Sequence, residues 1–356
     1  MNPFNYEKLE IARLLRQRTQ KDVVKDVGIS QSTLSKAEHG LLELSDDMMQ
    51  KLCQYYDMPI DFFSEMYEVP PAGYLYYRRK LTITNKIIDS FVAKVQIFKA
   101  IIDSLMQSVE LPDYALDNYR PSEDLSPKEI AHKIRFSLKV FHGPVPNLST
   151  LLENNGIVIV RFDFGTEKID GVSAITNGNR KVMFINSQMP DDRIRFSMAH
   201  ELGHIVMHIA NPPKSSEEAE READEFATEF LMPELEIRPM LENLTISTLA
   251  SLKRRWRVSM HALVRRAKDL EVINSQQYRN MQIYFSKKGY TKTEPIQLPI
   301  EQPTILKETL RLYRDELGYS DQDLMSIMHI NKNDFVEWFA PHPKIIRFQP
   351  IFNKRI

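Results

Sequence analysis

Cysteine is nearly absent: Cys53 stands alone among 356 residues. No intramolecular disulfide can form, which excludes the disulfide-framed secreted scaffolds. Its setting, MMQKLCQYY, has the spacing of an amphipathic helix and predicts a buried, inert thiol. Glycine is scarce too, 11 against 20 prolines, so collagen-like and low-complexity architectures are excluded. No apolar run approaches the roughly 18 residues that a membrane span needs. The opening residues, MNPFNYEKLEIARLL, lack the basic-then-apolar layout of a secretory leader. A cytoplasmic location without membrane contact is therefore expected. Net charge of one sign is also missing, at -1 overall, so any contact with nucleic acid must come from a local basic surface. What is present is ordinary globular composition in a chain long enough for two or three domains.

Five short helical patterns occupy residues 6 to 64, separated by tight breaks. Thr19, Ser30 and Ser45 sit where N-caps belong, and Gly28 and Gly40 where helices end. VPPAGYLYYRRK breaks the pattern and marks a boundary, followed by a long amphipathic stretch from 84 to 109. SPKEIAHKIRFSLKV, capped by Ser126, and PNLSTLLENNG read as helices. GIVIVRFDF, GVSAIT and KVMFIN then read as a small antiparallel sheet. Helices are expected from about 191 to 209 and 216 to 231, two more across 246 to 271, and a helical hairpin beyond a proline-bearing linker near 300. No internal repeat is evident. The expected organisation is α+β: a helix-turn-helix domain at 1–68, a linker and long helix at 69–119, a zincin-like domain with the small sheet at 120–240, a basic helical segment at 241–296 and a helical C-terminal region at 297–356.

The chemistry concentrates at AHELGHIVMH. His200 and His204 are one helical turn apart, so both imidazoles can face one cation. Glu201 projects about 100° further round, outside the ligand set but within reach of water beside it. This is the arrangement of HExxH metalloproteases, in which the glutamate takes a proton from water and delivers it to the leaving amine. A catalytic zinc site takes a third protein ligand. Met207 and Ala210 occupy the positions where a metzincin has glycine and histidine, so the third ligand must be a carboxylate. EEAEREADEFATEFLMP offers Glu220, with Glu217, Glu218, Glu222 and Glu225 as neighbours that compete for the role. Asp224, four residues after Glu220, can accept the second ring N–H of a ligand histidine. His208 is expected as packing or solvent-facing rather than as a ligand. Zinc is the expected metal, and manganese or iron also suit a His-His-carboxylate set.

The run from DDRIRFSMAHELGHIVMH through EREADEFATEFLMPE closely resembles the ImmA/IrrE family of bacterial metallopeptidases, over roughly residues 120 to 270. The resemblance implies His200, His204 and Glu220 as zinc ligands, Glu201 as catalytic glutamate, and Asp224 as the polar residue after the alanine. It also implies thermolysin-like metal geometry and cleavage of a repressor or other regulatory partner protein under stress.

TQKDVVKDVGISQSTLSKAEHG has the helix, glycine turn, helix layout of a DNA reader. Gln31 is placed to pair with adenine and Ser32 to reach the groove, with Gln20, Thr33, Ser35 and Lys36 as phosphate contacts. Glu38, Asp22 and Asp26 weaken the basic footprint. The segment resembles the XRE family of helix-turn-helix domains over residues 6 to 64, which implies double-stranded DNA bound through residues 18–40 by a homodimer. KRRWRVSMHALVRRAKDL offers a second basic stretch, residues 253–268, for single-stranded nucleic acid if Trp256 is free to stack; an apolar stripe through Leu249, Leu252 and Leu263 favours Trp256 as core. The expected function is a DNA-binding regulator with zinc-dependent endopeptidase activity. The alternative is a repressor whose peptidase-like domain senses a ligand or partner without turnover.

Overall fold

Side-chain caps set where the second, third and fourth helices begin. The computed structural model describes residues 4–64, 68–69, 83–213, 215–291, 293–299 and 301–339. Helices α1 (Lys8–Leu15), α2 (Gln20–Val27), α3 (Gln31–Glu38) and α4 (Asp46–Tyr56) precede a single 3-10 turn at Ile60–Phe63. The hydroxyls of Thr19, Ser30 and Ser45 accept the backbone N–H of Asp22, Thr33 and Met48, which satisfies donors that a helix start leaves orphaned. Gly28 ends α2 at φ 79°, a left-handed conformation that glycine adopts without a steric cost. Cys53 is buried on α4, and burial pushes its thiol up to about 11. Of the boundary stretch VPPAGYLYYRRK, only Val69 lies within the described residues, and the tail beyond 339 lies outside them.

Helix α5 (Asn85–Leu105) is apolar on two sides, so it must be covered twice. Ala93, Ile97 and Ile101 pack with the core of the first four helices, while Phe91, Phe98 and Ile102 pack on the sheet. After α6 (Pro127–Ser137) and α7 (Leu148–Glu153) come β1 (Ile157–Phe162), β2 (Gly171–Ile175) and β3 (Lys181–Asn186). Strand order is β1-β3-β2, with β2 and β3 antiparallel but β1 and β3 parallel. The sheet is thus mixed rather than antiparallel. The short turn between β2 and β3 forces a hairpin. The connection from β1 to β2 instead crosses the end of β3, where Asn186 Nδ2 donates to the carbonyls of Thr166 and Ile169 at 2.7 and 2.8 Å.

The opposite sheet face, Ile157, Ile159, Met183 and Ile185, packs with α8 (Asp191–Gly203) and α9 (Ser216–Leu231). The chain continues through α10 (Glu234–Ile237), α11 (Ile246–Trp256), α12 (Met260–Asp269) and α13 (Ser275–Lys287). It then forms α14 (Ile305–Asp315), α15 (Asp321–Met328) and α16 (Lys332–Phe339). No helix among the described residues is long and apolar enough to cross a membrane.

In the basic stretch 253–268, Trp256 is core rather than a free stacking ring. Trp256 is 0% exposed, so neither ring face can receive a base. Lys253 is buried against Glu294 at 2.7 Å and Arg266 against Glu229, while Arg265 pairs with Asp269. Arg254 and Arg255 remain exposed on α11.

Candidate metal centre and DNA-reading helix

Helices α8 and α9 pack side by side, so donors on each meet between them. His200 Nε2 and His204 Nε2 are 3.1 Å apart. The carboxylate of Glu220 closes the triangle, with Oε2 3.5 Å from His200 Nε2 and Oε1 3.4 Å from His204 Nε2. Three ligands at 2.0–2.2 Å around a tetrahedral ion stand about 3.3–3.5 Å apart, so the spacing fits a cation. Glu220 Oε1 is buried without a hydrogen-bond partner, and its contact to the imidazole is long for a hydrogen bond. A cation between the rings would satisfy that oxygen. Burial disfavours the charged forms throughout. Against it, Asp224 and Glu220 hold His200 up to about 10, and the two imidazoles hold Glu220 down to about 2. Burial lowers His204 to about 4. His200 would have to give up its ring proton at Nε2 to serve as a metal ligand.

Glu201 adjoins this triangle and reaches β2. It is 3% exposed, and Ser173 Oγ donates to its Oε2 at 2.5 Å. Gly171 supplies the room: a Cβ there would approach Glu201 Cγ to 2.9 Å. Burial pushes the Glu201 carboxyl up to about 7, with His200 and Ser173 opposing. Sequence reasoning singled out neither Ser173 nor Gly171 as partners of Glu201, because only strand register brings them to α8.

On the first domain, Gln31, Ser32 and Lys36 are exposed along α3, with Thr33 and Ser35 half-buried. Thr33 Oγ1 is shared with the cap, 2.8 Å from Ser30 Oγ. Gln20 differs from the expected phosphate contact: its amide turns inward and donates to Glu38 Oε2 at 2.7 Å. Glu38 is buried and also binds Arg13 through Nε and Nη2, at 2.6 and 2.9 Å. Asp22 closes the capping box with Thr19, and Asp26 accepts from Tyr55. The acids expected to weaken the basic footprint are therefore engaged within the module.

Residues 152–268 match the family model of the IrrE N-terminal-like domain, and residues 9–63 match that of the helix-turn-helix. The chain joins an XRE-type helix-turn-helix module to an ImmA/IrrE-like peptidase domain. No curated protein matches the chain significantly.

Within the IrrE-like domain, α8 does not continue as an α-helix to residue 209. His204–His208 is a π turn, with the Ile209 N–H donating five residues back to the His204 carbonyl at 3.1 Å. Such turns recur at functional sites. Here the turn sets His208, 0% exposed, with its Nδ1 2.8 Å from His204 Nδ1, while His208 Nε2 lies 3.0 Å from Glu222 Oε2. An ionised carboxylate only accepts. His208 therefore carries its proton on Nε2 and accepts at Nδ1 from His204, which leaves the His204 Nε2 lone pair facing Glu220. Asp224 Oδ1, 2.9 Å from His200 Nδ1, sets the other histidine in the same tautomer. His208→Ala and Asp224→Asn are each expected to weaken metal binding by about 10–100-fold. Competition against a chelator checks this, and unchanged affinity contradicts it.

An open cleft of about 1770 Å³ runs from Glu220, Asp224 and Thr228 on α9 to His261, Arg265 and Tyr290. That exceeds the roughly 300–1,000 Å³ of a small-molecule site.

Proposed function

We propose that the chain is a cytoplasmic DNA-binding regulator whose IrrE-like domain is a zinc-dependent endopeptidase, cleaving a regulatory partner protein in a stress response. The observation that carries this reading is the His200–His204–Glu220 triangle beside a buried Glu201 of raised pKa. A sensing domain needs the ligands but has no need of a proton carrier next to them. When bound, zinc supplies Lewis acidity at the scissile carbonyl and acidifies water, and manganese or iron suit the same donors. Glu201, held by Ser173, takes a proton from the attacking water and passes it to the leaving amine. A carboxyl near pH 7 serves in both directions. The size of the cleft suits a polypeptide, and an extended substrate segment pairing along Gly171 to Thr176, at the β2 edge of the sheet, would lie beside Glu201.

The first domain reads double-stranded DNA through residues 18–40, as a homodimer on two half-sites. Gln31 reads a base, Ser32 reaches the groove, and Thr33, Ser35 and Lys36 position the module on phosphates. Gln31→Ala is expected to cost about 1–3 kcal/mol in specific affinity and relax one operator position. Lys36→Ala should weaken binding evenly across sequences and flatten its salt dependence.

The proteomes of cells carrying the wild type and Glu201→Gln test the peptidase reading. A partner protein cut in the first and intact in the second is the expected result. If no protein differs while regulation persists and metal stays bound, proteolysis is not the output and the sensor reading replaces it.

A further inference from the structure

The C-terminal helices repeat the N-terminal ones in register. Helices α2 and α3 span Gln20–Val27 and Gln31–Glu38, and α15 and α16 span Asp321–Met328 and Lys332–Phe339, each 301 residues later and equal in length. The caps recur, with capping boxes at Thr19–Asp22 and Ser320–Asp323. Left-handed residues recur at Gln17 and Gly318 and at Gly28 and His329. Buried positions recur at Leu9 and Leu310, Val23 and Leu324, Ile29 and Ile330, and Leu34 and Phe335. Ala12 on α1 corresponds to Tyr313 on α14, both buried. A register without a single insertion, fixed by caps, turns and core together, is the signature of one supersecondary unit used twice. The expectation of no internal repeat is overturned; it arose because identity survives only at Glu7/Glu308, Leu9/Leu310, Arg13/Arg314, Asp22/Asp323 and Ile29/Ile330.

The DNA-facing chemistry does not recur. Where Thr33 stands in α3, Asp334 stands in α16, 3% exposed. It accepts from Arg16 Nη1 and Nη2 at 2.8 and 2.6 Å, a bidentate pair that carries geometric specificity as well as energy. Asn333 Nδ2 donates to Asp57 Oδ2 at 2.9 Å, and Asn331 Nδ2 donates to the Asp57 carbonyl. Glu337, in the place of Lys36, pairs with Lys94 on α5 at 2.8 Å. Trp338, in the place of Ala37, lies against Phe98 with ring centroids 5.1 Å apart. The start of α16 thus faces the first module and its end faces α5 and the sheet. Two carboxylates occupy positions that a DNA reader gives to neutral or basic groups, where they would repel phosphate.

We propose that residues 305–339 are a second helix-turn-helix unit that no longer reads DNA and serves as the docking partner of the first, clamping the DNA-reading module to α5 and so to the IrrE-like domain. The surface it fits is formed by Arg16, the end of α4 and Asp57. The claim that the second unit is silent on DNA rests on the reading of α3 above; the claim of docking does not.

Hydrogen exchange on the full chain tests the docking. Asp334→Ala is expected to speed exchange at the end of α1 and at residues 56–58 by about 10–100-fold, the loss of a charge-assisted pair, with α9 and metal affinity unchanged. Asp334→Asn, which retains the side-chain shape, should give a smaller change of the same sign and serves if the alanine variant does not fold. Unchanged protection in either folded variant overturns the clamp. Duplex binding tests the silence: Lys332→Ala, at the counterpart of Gln31, should leave affinity for double-stranded DNA unaltered. A loss matching that of Gln31→Ala overturns it, whereas a Gln31→Ala variant that itself binds normally overturns the reading of α3 and leaves the docking result standing.

Discussion

Replacing Glu201 with glutamine should reduce peptide cleavage by about 10²–10⁴-fold while leaving metal affinity near that of the wild type. The amide keeps the shape of the side chain, and its carbonyl oxygen can still accept from Ser173 Oγ, which now reaches Glu201 Oε2 at 2.5 Å. What it loses is a site that can bind and release a proton. The candidate metal donors are His200, His204 and Glu220, so the substitution removes none of them. Cleavage rate and bound metal measured on the same sample separate the outcomes. A variant that loses its metal would make Glu201 a ligand, and one that cleaves normally would place the base elsewhere. Ser173→Ala refines the argument. The Ser173 hydroxyl favours the ionised form and opposes the burial that lifts Glu201 to about 7, so its loss raises that value further. The acid limb of the pH–rate profile should then move to higher pH. Gly171→Ala acts sterically, since its Cβ would come within 3.1 Å of Glu201 Oε1.

What could be read from sequence was what local spacing controls. His200 and His204, and then Glu220 and Asp224, are one helical turn apart in sequence, and the caps at Thr19, Ser30 and Ser45 depend only on their own turns. Features set by the way elements meet were hidden. The role of His208 depends on a π turn and on which side of α9 presents Glu222. The parallel pairing of β1 depends on Asn186 holding a crossing loop, while all three strands carry the same apolar, β-branched pattern. The second helix-turn-helix unit escaped notice because caps and core tolerate Thr for Ser or Leu for Phe without loss of geometry. Charge misled in one consistent way. Glu38, Lys253 and Arg266 read as surface groups, yet each is buried against a partner from another element.

Glu294→Ala is expected to destabilise the IrrE-like region by about 3–5 kcal/mol, the cost of removing one member of a buried ion pair. Glu294 Oε2 accepts from Lys253 Nζ at 2.7 Å and from the Met260 N–H at 2.8 Å, while Oε1 takes the His261 N–H at 3.2 Å. It is thus both the counter-ion of Lys253, 1% exposed, and the acceptor for the first two backbone N–H groups of α12, where a carboxylate meets the positive end of the helix beside the Ser259 cap. Burial alone would raise its pKa, but the donors from His261, Lys253 and Met260 hold it down to about 2 against an ordinary 4.5. A pKa lowered on folding contributes stability that is present above the unfolded value and lost as pH falls toward the folded one. Acid destabilisation linked to this group should therefore develop between about pH 4.5 and pH 2. Urea unfolding of wild type and Glu294→Gln across that window checks it. The wild type should lose stability on acidification while the glutamine variant, already weaker at pH 7, changes less. Parallel slopes would mean that Lys253 is neutralised by another group, and α11 and α12 would then be held together by their apolar contacts through Leu249, Trp256 and Leu263 alone.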